Sequence, residues 1–493
     1  MRKSILAVTL LAGLGALILL GCNGGTTPPA PTPRVGNGSV VLLATDAPLC
    51  NVFSFTVTIS GITLTPQGGG DPVSVLGQGQ SVTIDFLRLM DFNTVLNLAS
   101  VPAGTYSQMT LTLAGAQLTV IDVTQTPPVP VAITTSLENA TVTINLDPAV
   151  TVTEGGTVSL LIDFHLFRSV HVDGMGHVTG TVNPVMTVAR MSPHPQDGLG
   201  RLDELHGIVR SVTTTSSNSA FVGSFQLQTR GGFGPVLTIQ VTSTTRFEGV
   251  SGLSGLAQGN FVEVEAVVDT AGNIVAQEVE LEGTIQGEGK AVFEGLVLHV
   301  VRDLATGKAT EFVLFVRGEH PDVSGSIPLR SPLTVNVTDG TQFRIVRPGI
   351  NQAGLTFDAT NIGVGQALIA FGAYHTDPSP TLDAEGVALR PQAIRGQYSP
   401  PLLGVDAGNP RVGGFNLVPC SPIFLGQPVR VFTFADTEFY GVSDLNGLSP
   451  LPPVHAKGLL FYEPGLVTIN GINVAPPSMV MEARRIVQRP MGD

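Results

Sequence analysis

The sequence contains no tryptophan and only five tyrosines among its 493 residues. Sugar-binding proteins commonly stack the sugar ring on a broad aromatic side chain, and tryptophan and tyrosine are well suited to that contact. This shortage argues against carbohydrate binding without excluding it. The tyrosines are Tyr106, Tyr374, Tyr398, Tyr440 and Tyr462.

Positive charge is also scarce in this chain. There are 25 lysines and arginines against 38 aspartates and glutamates, so the formal net charge is −13. A protein that binds a polyanion needs a basic surface, and we therefore expect no nucleic acid partner. Charged residues make up only 13% of the chain, about half of the usual fraction, while 58 glycines and 36 prolines favour turns and strands.

The sequence motifs of familiar enzymes are missing. The chain has no Gly-x-Ser-x-Gly, no His-Glu-x-x-His, no glycine-rich phosphate loop, no EF-hand loop and no Cys-x-x-Cys. An ordinary hydrolase or metalloenzyme is therefore disfavoured. We expect a protein that is not an enzyme, with no catalytic residues, no cofactor and no metal ion.

One apolar segment stands apart near the N-terminus. Arg2 and Lys3 precede an uncharged run over residues 5–20, which is followed by Gly21 and Cys22. The charged start, the short apolar run and the small residue before the cleavage point are typical of a secretory signal, and the run is shorter than the ~20 residues of a spanning helix. The stretch Leu-Leu-Gly-Cys resembles the bacterial lipobox, which implies cleavage before Cys22 and lipid on its thiol. Residues 1–21 are the predicted lipoprotein signal peptide.

Residues 22–37 are rich in proline, glycine and threonine and predict an extended tether. Two or more acyl chains make membrane anchoring stable, so we expect a membrane partner through lipid on Cys22. Asn23 follows the cysteine, as in lipoproteins that are passed to the outer membrane. We expect an exported, lipid-anchored protein of the bacterial cell envelope, with the outer membrane or cell surface favoured.

Only Cys50 and Cys420 remain after the predicted lipid site. They could form a disulfide in an oxidising compartment. They are 370 residues apart and fall in different predicted domains. We therefore expect two buried free thiols, with a disulfide as the alternative.

Alternation with period two dominates the first third of the chain and predicts antiparallel strands. The runs at residues 39–45, 53–65, 108–123, 141–146 and 157–164 are rich in valine, threonine, leucine and isoleucine and are bounded by turn residues. We expect an all-β protein whose residues 38–192 form an antiparallel β-sandwich, followed by a linker at residues 193–204. One short helix is predicted around residues 87–98.

Several short motifs in this first domain resemble a known family. They are Thr45-Asp46-Ala47-Pro48, the Val-Pro-Ala-Gly-Thr-Tyr stretch that ends at Tyr106, the Leu-Leu-Ile-Asp-Phe stretch that ends at Phe164, and the late Pro184-Val185. Together they resemble the bacterial lipoprotein family called domain of unknown function 4382. The resemblance implies an envelope-associated β-domain and no established activity. Where the family commonly has aspartate after Asp-Phe, this chain has His165.

The rest of the chain contains an internal repeat. Thr245-Arg246-Phe247, Thr341-Gln342-Phe343 and Thr437-Glu438-Phe439 follow strand-like segments at intervals of 96 residues. We predict three related small β-domains, OB-like barrels or open sandwiches, at residues 205–285, 286–396 and 397–493. The first copy, with Gly-Ile-Val-Arg-Ser-Val, Thr-Thr-Arg-Phe and Gly-Asn-Phe-Val-Glu-Val-Glu-Ala, resembles domain of unknown function 5666, and the later copies match it more loosely.

Three residues are possible ligand contacts: Asp46, Asp163 and His165. Asp163 and His165 fall on one face of a predicted strand, and a turn at Asp173 could bring His171 and His177 close to each other. Imidazole and carboxylate together suit borderline metal ions, but solvated histidines beside a hairpin are the simpler interpretation. Asp46, in a turn before Pro48, could instead bond its own backbone.

The function predicted from these observations is a non-catalytic structural or protein-binding role in the envelope, with carbohydrate binding as the alternative. Protein partners could be bound through sheet edges or flat apolar surfaces. The exposure of the tyrosines can distinguish protein binding from carbohydrate binding. An exposed cluster of Tyr374, Tyr398, Tyr440 and Tyr462 would favour glycans, whereas their burial in separate cores would favour protein contacts.

Overall fold

The computed structural model describes residues 36–46, 52–77, 79–89, 94–174, 177–190, 201–215, 220–229, 236–269, 272–284, 290–320, 330–346, 351–377 and 379–488. The predicted signal peptide, Cys22, most of the tether, Cys50 and most of the linker lie outside these residues. The predicted all-β class is confirmed. Among the described residues, no helix has the length and apolar character needed to cross a membrane.

Thirteen strands and one helical turn make up the described part of the first domain. They are β1 Asn37–Asp46, β2 Ser54–Pro66, β3 Val73–Ser74, β4 Val82–Asp85, β5 Thr94–Pro102, β6 Gly104–Asp122, β7 Val129–Ile133, β8 Ser136–Leu137, β9 Thr141–Val152, β10 Thr157–Phe164, α1 Leu166–Ser169, β11 Val170–Val172, β12 Val178–Val182 and β13 Met186–Arg190. One main sheet has the order β13-β10-β1-β5, and the other has β3-β2-β6-β7 with β4 on β2 and β9 on β6.

The two main sheets bury one apolar core between them, as the predicted sandwich requires. Phe55, Phe86 and Phe164 meet in this core, with ring centroids 4.9–6.3 Å apart. The pairing of β1 with β10 is parallel, so the sheet is not purely antiparallel. Tyr106 is buried and its hydroxyl donates to Pro102 O at 2.7 Å, which makes it a structural corner residue.

The helix predicted over residues 87–98 is wrong. The structure has a 3₁₀ turn at Phe86–Leu89, and β5 begins at Thr94. β5 pairs antiparallel with β1, and Leu96 points into the buried core. The apolar residues of this segment were only loosely spaced for a helical face, and pairing with a neighbouring strand satisfies the same backbone groups.

Three further bodies follow, which we call barrels 1, 2 and 3. Barrel 1 consists of β14 Arg201–Thr214, β15 Gly223–Thr229, β16 Val236–Val241, β17 Arg246–Glu248, β18 Asn260–Val268 and β19 Ile274–Thr284. Barrel 2 consists of β20 Lys290–Arg302, β21 Ala309–His320, β22 Pro332–Asn336, β23 Gln342–Ile345, β24 Ala367–His375 and β25 Thr381–Leu389. Barrel 3 consists of β26 Pro391–Leu403, β27 Gly413–Pro419, β28 Val429–Tyr440, β29 Val454–Glu463, β30 Val467–Ile469, β31 Ile472–Val474 and β32 Ser478–Val487. Short 3₁₀ turns lie at Leu253–Gly255, Pro422–Phe424 and Leu445–Gly447.

The three barrels share one topology. In each, five main strands close in the order first, second, third, fifth, fourth and back to the first. The third and fifth strands pair in parallel, as β16 with β19, β22 with β25 and β28 with β32. This is the five-stranded Greek-key arrangement of an OB-like barrel, and it confirms that alternative over the open sandwich.

The repeated Thr-x-Phe triplet has the same structural role in every barrel. The hydroxyls of Thr245, Thr341 and Thr437 donate to the carbonyls of Ala276, Ala384 and Ala483 on the fifth strand, at 2.7–2.8 Å. Each hydroxyl also accepts a backbone N–H from three residues earlier at 2.8–3.0 Å. The triplet therefore fixes the segment after the third strand in barrels 1 and 2, and the end of that strand in barrel 3, to the fifth strand. It is a true repeat.

The hydrophobic cores extend across the domain boundaries. Val41 and Leu161 of the first domain belong to the same apolar cluster as the core of barrel 1. Phe53 packs edge-on against Phe315 of barrel 2 at 4.8 Å, and Phe461 of barrel 3 contributes to the core of barrel 2. The described residues from Gly36 onward accordingly form one compact unit.

The expectation of free thiols is wrong for Cys420, which is disulfide-bonded. Its backbone N–H donates to Arg395 O at 3.0 Å, so it is fixed beside the first strand of barrel 3. Phe53, three residues after Cys50 in the sequence, belongs to the same apolar cluster as Ile394 and Ile423 near Cys420. The sequence separation of 370 residues is therefore a poor guide to the distance between the two cysteines in space. The fold places barrel 3 against the first domain.

We predict that Cys50 is the disulfide partner of Cys420, since Cys22 is the predicted lipid site. Non-reducing proteolysis and mass spectrometry should yield one linked pair of peptides that contains Cys50 and Cys420. Cys50→Ser should make Cys420 reactive to a thiol reagent in the unfolded protein. If Cys50 of the unsubstituted protein reacts with the thiol reagent after unfolding without a reducing agent, the assignment is contradicted.

We predict that Thr341→Val lowers the free energy of unfolding by ~1–3 kcal/mol, because it removes the donor to Ala384 O and leaves buried polar groups without their partner. Thr310→Val, at an exposed position of β21, is the matched control and should have a much smaller effect. Denaturant unfolding measures both changes. Equal losses in the two variants would show that the triplet threonine has no special role.

Candidate functional site

The sequence-predicted residues Asp163 and His165 do lie together. His165 Nδ1 is 3.9 Å from Asp163 Oδ2, and its Nε2 is 3.2 Å from the hydroxyl of Thr187. Burial raises the pKa of Asp163, and His165 opposes that rise. Asp163 Oδ1 is buried without a hydrogen bond among the described residues. Asp163 at the end of β10 and His165 just after it are half-buried, and Thr187 of β13 lies exposed beside them.

The third predicted ligand residue, Asp46, is the last residue of β1. Its Cα pairs with Phe164, whereas Asp163 pairs with Thr45. Its side chain lies outside what the structure describes, so its role as a ligand stays a prediction.

The histidine hairpin is separate from this row. Asp173 and His177 pair across the turn, with Nδ1 and Oδ2 3.3 Å apart, and both side chains are well exposed. The Thr179 hydroxyl donates to His171 O. Within the described ranges, no group of three or more histidine, cysteine, aspartate or glutamate side chains is arranged to hold a metal ion.

None of the four repeat-region tyrosines is an exposed platform. Tyr398 is buried edge-on against Phe415. Tyr374 lies beside Phe293 with ring centroids 5.3 Å apart. Tyr462 is covered by the guanidinium of Arg302 at 4.6 Å and Tyr440 by that of Arg485 at 5.5 Å. The rings are divided between cores and arginine contacts, so they do not form the exposed cluster that would favour glycans.

The most unusual site is a cluster of carboxylates that the sequence analysis missed. On the outer side of the β18–β19 hairpin lie five glutamates, which we call the acidic face, and each is at most 5% exposed: Glu263, Glu265, Glu278, Glu280 and Glu282. Glu263 pairs with Glu280 and Glu265 with Glu278 directly across the strands. Like charges at directly opposed positions destabilise a sheet, so this face needs cations from elsewhere.

Arginines from the other two barrels supply those cations. Arg344 of barrel 2 lies 2.6 Å from Glu282 and 3.8 Å from Glu280, and it also donates to Leu281 O at 3.0 Å. Arg484 of barrel 3 lies 3.5 Å from Glu265. The acidic face is therefore covered by basic side chains of two different barrels.

Two contacts within barrel 1 complete the acidic face. Arg246 is 2.5 Å from Glu278, and His206 Nε2 is 3.0 Å from Glu263 Oε2. Burial raises the pKa of Glu282, while Arg344, His206 and Arg390 oppose that rise and Glu294 adds to it. Glu282 thus remains costly to ionise even with its cation in place.

The signal for this site is present in the sequence as Glu-Val-Glu-Ala and Glu-Val-Glu-Leu-Glu. Alternation of glutamate with valine is typical of a strand with one face in water. Only the tertiary fold shows that the glutamate side is also covered, so the burial of these groups was not predictable from period-two alternation.

Two further buried carboxylates, Glu482 and Glu463, lie where barrel 2 meets barrel 3. Glu482 of β32 accepts the backbone N–H groups of Gln352 and Ala353 of barrel 2. Burial raises its pKa to about 7, which those hydrogen bonds oppose and Asp436 reinforces. Burial, with a smaller contribution from Asp358, raises the pKa of Glu463 to about 7 as well.

The family models agree with this domain order. Residues 37–179 match Domain of unknown function (DUF4382), and residues 206–280 match Domain of unknown function (DUF5666). The two matches lie in the order that the sequence motifs indicated. Neither description assigns an activity.

The other comparisons add little. No curated protein matches the chain. A solved structure described as drosophila Unr CSD456 is similar at 9% sequence identity, covering 58% of this chain and 98% of its own, with a TM-score of 0.14.

We predict that Glu463→Gln weakens the dependence of stability on pH. A folded-state pKa of about 7, against an ordinary value of 4.5, means that this carboxyl contributes stability below pH ~4.5 and loses it as the pH rises through about 7. The melting temperature of the native protein minus that of the variant should therefore fall between pH 5 and pH 8. Glu138→Gln, at an exposed position, is the control, and an identical pH profile for the two variants would contradict the prediction.

Proposed function

We propose that this chain is an exported lipoprotein, anchored through lipid on Cys22, that has a non-catalytic structural or protein-binding role in the bacterial cell envelope. The membrane is its partner through that lipid, and the further partner we expect is an envelope protein. The outer membrane or the cell surface is the favoured location.

The observation that carries the export part of this proposal is the disulfide at Cys420. Disulfides form and persist in oxidising compartments and are rare in the bacterial cytosol. This agrees with the signal-like residues 1–21 and with the lipobox resemblance at Cys22. All three features are consistent with a protein that folds after it crosses the inner membrane.

The structural role is supported by how the chain uses its charged residues. Arg344 and Arg484 are committed to contacts between barrels, and Arg317 donates to Phe53 O at 2.7 Å between barrel 2 and the first domain. Shared apolar clusters join the same bodies. Such a body is suited to hold surfaces at fixed positions, as a scaffold or protein-binding module does.

Carbohydrate binding was the alternative function. The tyrosines that it would use are covered by other rings or by arginine side chains, as described above. No observation favours this alternative over protein contacts.

We predict that Cys22→Ala releases the protein from the membrane fraction, because it removes the only predicted site of lipid attachment. Fractionation of cells that express the native protein or the variant measures the change. Cys50→Ser is the control, since it also removes one cysteine, but one outside the predicted lipobox, and should leave the protein membrane-bound. Continued membrane association of Cys22→Ala would overturn the lipid-anchor proposal.

Protease treatment of intact cells then separates the two envelope locations. Cleavage of the native protein would place the body on the cell surface. Protection of an anchored protein would place it in the periplasm and contradict the surface location. Chemical crosslinking in the same cells identifies protein partners. Crosslinks to glycan without any crosslink to a protein would contradict the protein-binding role.

A further inference from the structure

The strand pairing of the three barrels defines equivalent positions in them. Gly207, Gly295 and Gly396 occupy the same point on the first strand, where an added Cβ would collide with a carbonyl of the second strand. They pair with Val262, Leu368 and Val454 on the fourth strand. The alanines bonded by the triplet threonines give the matching reference point on the fifth strand.

The outward-facing residues of the fourth strand differ in charge between the three barrels when they are numbered from these reference points. Glu263 corresponds to Ile369 and His455, because these three residues pair with the residue before the shared glycine. Two residues later, Glu265 corresponds to Phe371 and Lys457. The same positions are acidic in barrel 1, apolar in barrel 2 and basic in barrel 3.

The fifth strand repeats this division at the position of Glu278. Glu278 corresponds to Gly386 and Arg485, since each lies opposite the second outward residue of the fourth strand. Glu265, Glu278, Lys457 and Arg485 are all less than 10% exposed. Both the acidic version in barrel 1 and the basic version in barrel 3 are therefore largely covered from water.

These faces pack against one another within the chain. Ile369 and Phe371, from the face of barrel 2, join one apolar cluster with Ile208 and Phe261 of barrel 1. Arg344 reaches the acidic face beside this cluster, and Arg484 of barrel 3, the neighbour of Arg485, reaches it at Glu265.

We propose that the outer face of the fourth and fifth strands is the docking surface of this barrel repeat, and that its charge selects the repeat that docks on it. The acidic version in barrel 1 takes partners that present arginine beside an apolar patch. In this chain those partners are barrels 2 and 3. The inference is independent of the lipid anchor and of the envelope role.

The prediction is tested by hydrogen–deuterium exchange of the full chain. Arg344→Gln removes the cation from Glu280 and Glu282, so exchange of the β18 and β19 amides should rise by about tenfold. Lys308→Gln is the matched control, because Lys308 pairs with Asp339 at an exposed site within barrel 2, and it should leave those amides unchanged.

Charge exchange tests selection directly. Arg344→Glu should increase exchange of β18 and β19 further than Arg344→Gln, and the double variant Arg344→Glu with Glu282→Arg should recover part of the protection. Recovery of protection supports charge selection. Equal exchange in Arg344→Gln and Lys308→Gln would overturn the proposal.

The salt dependence of exchange can be measured on the unsubstituted protein, so this test does not require that a variant folds. Raising the salt concentration screens interactions between charges that water can reach, and Arg344 is 34% exposed. Exchange of the β18 and β19 amides should rise with salt more than exchange of β2 and β6, which lie in the apolar sandwich. A salt response that is the same in both regions would also contradict the proposal.

Discussion

The burial of five carboxylates on one hairpin is the constraint on which the arrangement of the barrels depends. Removing a carboxylate from water is costly unless a cation and hydrogen bonds replace the water. Barrel 1 cannot meet that requirement alone, since it pairs Glu278 with Arg246 but leaves Glu282 to a cation of barrel 2. The glutamates can therefore be buried only when Arg344 and Arg484 arrive from the other barrels. The fold of one repeat is coupled in this way to the docking of two more.

The contacts between bodies are of two physical kinds. The contact of barrel 2 with barrel 3 includes large apolar residues such as Phe432 and Phe461, so it depends mainly on the hydrophobic effect. The contact of barrel 1 with barrel 2 combines a small apolar cluster with the partly buried ion pairs of Arg344. Ion pairs respond to pH and salt, whereas apolar contacts are strengthened by many salts. A change in pH or salt concentration is therefore expected to affect the stability of the contact between barrels 1 and 2 more than that of the contact between barrels 2 and 3.

The sequence predicted local structure well where one face of a strand is apolar. The run at residues 157–164 matches β10, and the period-two alternation at residues 53–65 matches β2 closely. The prediction for residues 87–98 was wrong because irregular apolar spacing does not distinguish a helix from a strand that pairs with β1. Cys420 was misjudged because sequence separation does not measure distance in a folded chain.

The sequence by itself determined the all-β class, the order of the first β-domain and the repeats that follow it, and the Thr-x-Phe triplet, because each depends on neighbours within a strand or a turn. It also contained the pairing of Asp163 with His165, which are two residues apart. Only the tertiary structure decided that the acidic face is buried, that Cys420 is oxidised and that the tyrosines are covered. These properties depend on residues that are far apart in the chain, and alternation of polar and apolar residues cannot show whether the polar side meets water or another domain.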